Sequence, residues 1–392
     1  MAANGRTARA ADLLGELVSI DSVNSDMPGG ERGEREYGDF LAAYGRRLGL
    51  EVSQYEVLPG RFNTVLEMPA PGADRRLIFD VHLDTVPFDG PVSTNKPVQK
   101  DGRLYGRGAC DTKGAMAAAL LALERLIEDP PDPGCEVVLL ATVDEEYLKR
   151  GVDAAVERGL KADGAIVGEP TGLVPVIAHK GVARWEVVTQ GRAAHTSKPE
   201  NGVNAIYHMA AVIERLVAGH AVTPPELHHA LCGNGTLTVS TITGGVQVNV
   251  VPDECRVQID RRVLPSERAR ATWQAVTDDL NRLKTETPGM QLESLAPFLL
   301  EEGLDTDPTA AIVRAAGAAG RGLGLPHEPA GVPYGTDGSS LALGGIPAVV
   351  LGPGDIDQAH SPDEYVELDQ VADCAALYEA IVREFAVIGA TL

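Results

Sequence analysis

The sequence predicts an α/β protein carrying a smaller inserted α+β unit. Three observations carry that expectation. The first third alternates helix-period and strand-like segments. Residues 184–295 run strand, helix, two strands, helix, weak strand, the order of a ferredoxin-like βαββαβ unit. After residue 301 the α/β alternation returns. The implied division is a discontinuous domain formed by 1–179 and 297–392, interrupted by 180–296.

Residues 7–19 place Ala11, Leu13, Leu14, Leu17 and Val18 at helical spacing. Residues 34–48 read as a second helix, ended by Gly49. Strands are expected at 63–68 and 76–83, the latter buried through Leu77, Ile78, Phe79 and Val81. The Ala/Leu-rich run 113–127 reads as a buried helix, 135–143 as a strand, and 165–168 as a short strand. In the middle third, 184–190, 236–244 and 254–263 alternate apolar and polar residues as half-exposed strands do. Helices are expected at 202–216 and 268–283, and a weaker strand at 290–295. Residues 310–319 close the pattern as a helix and 348–351 as a strand.

Composition narrows the function. A hydrophobic fraction of 44% and a charged fraction of 23% are ordinary for a globular chain, and 392 residues suffice for more than one core. The net charge of −22 argues against nucleic acid, whose phosphates need clustered Lys and Arg. It suits a site that gathers cations or amine-bearing substrates. Apolar runs such as 115–123 fall short of the ~20 residues of a membrane span. Residues 1–12 hold two arginines with no apolar run behind them, so no secretory signal is expected. Five scattered cysteines without a CxxC pair fit free thiols in a reducing cytoplasm.

Five segments carry candidate chemistry. His82 and Asp84 lie two apart at a strand end, so both point to one face. Asp84 can hold one ring nitrogen while the other binds a metal, although HxD alone also describes a loop-capping histidine. Asp111 follows Gly106 and Gly108 where a glycine-rich loop meets a helix, a place that a capping aspartate would also occupy. Asp144, Glu145 and Glu146 are consecutive carboxylates at a strand end, costly unless cations compensate them. Their side chains diverge, so one can ligate an ion while another moves a proton; a solvated acidic turn is the plainer reading. Glu169 and His360 follow further strands. Sheets of this class bind ligands at their strand ends. Together, two imidazoles and the carboxylates of Asp111, Glu146 and Glu169 suit two borderline divalent ions. Neither GxSxG nor a nucleotide-binding glycine motif occurs. His208, His220, His228, His229 and His327 show no ligand spacing, and Lys113 reads as a loop anchor.

These segments, with Gly168-Glu169-Pro170-Thr171, Ala178-His179-Lys180-Gly181, Gly202-Val203-Asn204-Ala205-Ile206 and the run from Leu351 to Tyr365, resemble one family. It is that of acetylornithine deacetylase, succinyl-diaminopimelate desuccinylase, aminoacylase and glutamate carboxypeptidase (carboxypeptidase G), with the deacetylases nearest. The likeness spans about residues 14–368. It implies a metallopeptidase-like α/β/α catalytic domain and an inserted dimerisation or lid domain. It further implies two divalent ions, zinc first and cobalt or manganese as substitutes. Asp111 resembles the bridging carboxylate, His82 and Glu169 the ligands of one ion, and Glu146 and His360 those of the other. Glu145 matches the general base and Asp84 the partner of His82; the Asp111–Thr112 peptide is expected to be cis. His195 matches a histidine that enters the neighbouring subunit's site to hold the oxyanion. Asn249 and Arg262 match contacts to a substrate carboxylate, although Arg262 can equally pair with Asp260 or Glu254. Thr336 and Asp337 resemble a substrate-side loop. The implied reaction is hydrolysis of an N-acyl amino acid, N-acetylornithine or a relative, by water between two metals. Alternatives are a succinyl-diaminopimelate substrate, a dipeptide, an N-acyl amino acid of secondary metabolism, or a non-catalytic binding homologue. A cytoplasmic homodimer without nucleic-acid or membrane partners is expected.

Overall fold

The computed structural model describes residues 3–87, 96–132 and 134–388, which divide into two compact units. The first comprises residues up to 177, 306–330 and 336 onward; the second comprises 178–305 and 331–335.

The first unit is built on a mixed sheet. Its strands lie in the order Glu51–Leu58, Arg61–Met68, Glu136–Thr142, Arg76–His82, Gly164–Val167 and Ala348–Val350. The last four are mutually parallel, whereas Arg61–Met68 joins antiparallel to Glu136–Thr142. All four parallel strands therefore end on the same side, where open α/β sheets gather ligands.

Alternation along Arg76–His82 sorts the two faces. Leu77, Phe79 and Val81 enter the main core, and Phe79 stacks on Tyr378 with ring centroids 5.0 Å apart. That face is covered by Ala3–Val18, Gly114–Glu128, Ala311–Leu323 and Leu368–Val387, which pack on one another. Alanines on Gly114–Glu128 let it come close. At Gly168 a Cβ would lie 2.9 Å from both Ala115 Cβ and Val81 Cγ2, so only glycine fits beside that helix. Asp80 and His82 share the other face, with Thr142 and Asp337 around Asp80.

The second unit is an antiparallel sheet in the order Thr236–Gly244, Glu254–Val263, Gly181–Gln190 and Gln291–Ser294, with Leu299–Glu301 also on Gly181–Gln190. With helices Ala205–His220 and Ala269–Glu286 this is the expected βαββαβ order. Trp185, Val187, Val257 and Ile259 bury one sheet face against Met209, Val212, Leu216, Val276 and Leu280. Asn204 caps the first helix, its Oδ1 accepting from the amides of Ile206 and Tyr207.

Candidate metal centre

The first unit brings five strand-end or loop segments to one place. His82 ends its strand, Glu145 and Glu146 follow Glu136–Thr142, Glu169 follows Gly164–Val167, and His360 follows Ala348–Val350. Asp111 comes from the loop before Gly114–Glu128, and the Asp111–Thr112 peptide is cis.

Asp111 is the centre of the cluster. Its Oδ1 lies 3.1 Å from His82 Nε2 and its Oδ2 3.2 Å from His360 Nε2. One carboxylate thus turns one oxygen to each imidazole. His360 Nε2 also lies 3.1 Å from Glu146 Oε2, and His82 Nε2 lies 3.9 Å from Glu169 Oε1. Ligand atoms of His82, Asp111 and Glu146, and separately of His82, Glu145 and Glu169, all fall within 4.8 Å of one another. His360 is presented from a left-handed backbone conformation (φ 59°), uncommon for a non-glycine residue.

The electrostatics are those of a cation site. Burial and the charge of Asp111 push the carboxyls of Glu146 and Glu169 upward. Burial, then Asp111 and Asp84, do the same to Glu145 against the pull of Lys149 and His82. Burial would raise Asp111 too, but contacts with His360 and His82 overcome it and hold it below the usual range. His360 is pushed up to about 11 by Asp111 and Glu146. Converging carboxylates thus favour positive charge at both imidazoles. A mixed N/O donor set of this kind fits borderline divalent ions.

The surroundings fix these groups. His82 Nδ1 lies 2.9 Å from the backbone oxygen of Asp84, so it carries a hydrogen and Nε2 is the nitrogen turned to the cluster. This corrects one expectation. The Asp84 carboxylate lies 3.7 Å from that ring nitrogen and does not take its hydrogen bond. The strand ends at His82, and it is the Asp84 carbonyl that meets the ring. The carboxylate instead accepts from the amides of Glu145 and Glu146, each at 3.0 Å, and from Asn24 Nδ2 at 2.7 Å. Asp84 therefore orients the acidic turn. Asp144, the third carboxylate of the run, turns away from the cluster to Arg61 and Arg150. Arg61 also pairs with Glu34 and Asp26. Lys113 anchors its loop, as expected: its Nζ donates to the Ile20 carbonyl and sits over the Tyr37 ring.

Thr336 and Asp337, expected beside substrate, are already engaged in the first unit. The Thr336 hydroxyl accepts from the Gly338 amide at the start of Gly338–Leu343. Asp337 is buried with Oδ2 3.3 Å from Thr142 Oγ1. The remaining candidates belong to the second unit. His195 is exposed, and its Nδ1 accepts from the Ser197 amide at 3.1 Å, which places the proton of the neutral ring on Nε2. Arg262 Nε lies 2.8 Å from Asp260 Oδ1, one of the two carboxylates available to it, and adjacent Arg261 pairs with Glu267. Asn249 is exposed and its backbone oxygen accepts from Thr196.

Two supporting residues escape a reading of the sequence. Asn24 sits in an irregular stretch with no motif. Glu364 lies within the run from Leu351 to Tyr365 that carries the resemblance, but nothing in that run gives it a role of its own.

A model of peptidase family M20/M25/M40 matches residues 78–384. The chain is 33% identical to an acetylornithine deacetylase of Myxococcus xanthus over 317 residues, 78% of each chain. It is 31% identical to the acetylornithine deacetylase of Vibrio campbellii over 375 residues, 90% of this chain and 92% of that one. In fold it is similar to the aminopeptidase PepT of Bacillus cereus, with a TM-score of 0.82 at 24% identity, covering 97% of this chain and 99% of that one. It is similar likewise to a metallo-carboxypeptidase of Sulfolobus solfataricus, with a TM-score of 0.77 at 20% identity, covering 96% and 99%.

Proposed function

The chain belongs to peptidase family M20/M25/M40, a family of metallopeptidases and amidohydrolases, and from that premise we propose that it hydrolyses the amide of an N-acyl amino acid, N-acetylornithine first among them. What supports the reaction is Glu145 standing beside a cluster suited to two divalent ions. What supports the substrate is likeness to the two deacetylases over most of the chain.

His82 and Glu169 are assigned to one ion, Glu146 and His360 to the other, and Asp111 to both. Zinc is the first expectation, with cobalt or manganese as substitutes. When bound, such ions supply Lewis acidity and lower the pKa of water from 15.7 toward ~7. Glu145 takes the proton of the attacking water and returns it to the leaving amine, work for which burial has tuned it upward. His195, with its proton on Nε2, is proposed as the oxyanion donor in a neighbouring chain's site. Arg262 and Asn249 are kept as contacts for a substrate carboxylate, which Arg262 would exchange for Asp260.

The test is a panel of N-acetylornithine, other N-acetyl amino acids, N-succinyl-diaminopimelate and dipeptides, with zinc or cobalt added and chelator as control. Acetate release from N-acetylornithine that stops with chelator is the expected result. Turnover that survives removal of all metal would refute the mechanism. Silence across the panel, with metal bound, would refute the substrate class.

A homodimer through the second unit completes the proposal. Thr236–Gly244 is an edge strand, and beyond it Val246 and Val248 are 82% and 99% exposed, with Tyr207 and Ile242 also exposed. Unpaired apolar edges of this kind invite a second copy. Ile242→Lys is expected to sediment as a monomer and the unchanged protein as a dimer; an unchanged protein that is monomeric at tens of micromolar would exclude it. The five cysteines are free, in keeping with a reducing cytoplasm. No helix among the described residues is long and apolar enough to cross a membrane.

A further inference from the structure

We propose that Glu364 is a positioning residue that locks the Asp111 loop to the His360 segment and thereby sets the spacing of the cation site. The proposal rests on the metal-centre reading above.

Glu364 is 1% exposed and lies four positions after His360. Its carboxylate accepts four hydrogen bonds. Oε1 accepts from the amides of Cys110 at 2.9 Å and Asp111 at 3.0 Å. Oε2 accepts from the Gly108 amide at 2.9 Å and from Arg107 Nη1 at 2.7 Å. The grip continues along the main chain. The Gly106 amide donates to the Glu364 carbonyl, and Tyr365 pairs antiparallel with Tyr105. One residue thus holds the loop that carries Asp111 by three amides and a guanidinium. Its own segment carries the histidine that touches the other Asp111 oxygen.

The loop's other ties are its own turn bonds, Ala109 to Gly106 and Lys113 to Gly108, the Cys110 thiol on the Asp355 carbonyl, and Lys113 on the Ile20 carbonyl; none of these holds the Asp111 amide. Residues 106–111 have no sheet partner of their own, and Gly108 is left-handed at φ 79° with Thr85 Cγ2 2.8 Å from where a Cβ would be. A carboxylate is the side chain that satisfies two donor pairs at once. Gln has the same shape but offers acceptor capacity on one side and an NH2 on the other. In Glu364→Gln one donor pair therefore meets another donor. The loop should loosen on that side and Asp111 should drift from His82 or His360.

Two measurements on the full chain test this. In chelated protein, hydrogen exchange of the amides of Gly108, Cys110 and Asp111 is expected to speed up by about tenfold or more in Glu364→Gln, with the core helices unchanged. With Co2+ as probe, affinity is expected to fall ~10–100-fold and the visible absorption bands to shift, as when an outer partner of a metal ligand is lost. A purely structural role would lower thermal stability without moving the cobalt spectrum of the folded fraction. Unchanged exchange, or an unchanged cobalt affinity and spectrum once exchange has risen, would overturn the proposal. If Glu364→Gln does not fold, Arg107→Gln removes one of the four donors and is expected to move both readouts the same way by less; no movement there would overturn it equally. Absence of Co2+ binding by the unchanged protein would instead refute the metal-centre reading, and the exchange arm would still decide whether Glu364 holds the loop.

Discussion

Glu145→Gln is expected to hydrolyse amides ~10²–10⁴-fold more slowly than the unchanged protein while holding the same number of metal ions, the range set by losing a positioned acid–base group. Glu145 is placed for that role twice over. The Asp84 carboxylate holds its amide, which fixes the turn, and Lys149 lies 3.9 Å from its carboxylate. Burial raises its carboxyl toward the range where a proton is both taken and returned. Gln keeps the shape and removes the basic oxygen. Turnover numbers together with metal content by elemental analysis decide the matter. Loss of an ion rather than of turnover alone would make Glu145 a ligand, a role its grouping with His82 and Glu169 also allows. Full activity would remove it from the mechanism.

The second large effect is expected at Asp111. It is the carboxylate that meets both imidazoles, through different oxygens. Asp111→Ala should lose at least one of two ions and essentially all activity, with an affinity loss beyond the ~10–100-fold typical of an outer partner. Equilibrium dialysis against zinc gives the stoichiometry. The loop should survive, because Glu364 grips the Asp111 amide and not its side chain. Thermal unfolding of chelated protein should accordingly change little. Two ions retained at unchanged affinity would show that Asp111 is not shared.

Much of this was legible from residue order. The ends of Arg76–His82, Glu136–Thr142 and Gly164–Val167 are bounded by runs of apolar residues, so His82, Glu145, Glu146 and Glu169 could be placed at strand ends directly. The second unit's alternation is clean because its sheet has one buried face. Other features were hidden for physical reasons. The pattern leaves 368–387 unassigned, yet Leu368–Val387 is a helix. It packs against three other helices, so Val371, Ala372, Cys374, Ala375, Leu377 and Tyr378 are all buried and no narrow apolar stripe stands out. Glu51–Leu58 escapes because it is an edge strand on which no residue is fully buried. The job of the Asp84 carboxylate turns on which Asp84 oxygen meets the His82 ring, which side-chain spacing does not encode.

The scattering of the cluster along the chain has a consequence for its birth on the ribosome. Nearly two hundred residues separate Glu169 from His360 and Glu364. At ~5–20 residues per second, the acidic half of the cluster waits roughly 10–40 s for its last imidazole and its clasp. During that interval Asp111 lacks both His360 and the carboxylate that shapes its loop. Of the two positions proposed for ions, the one assigned to Glu146 and His360 is therefore completed only once the His360 segment has emerged and docked.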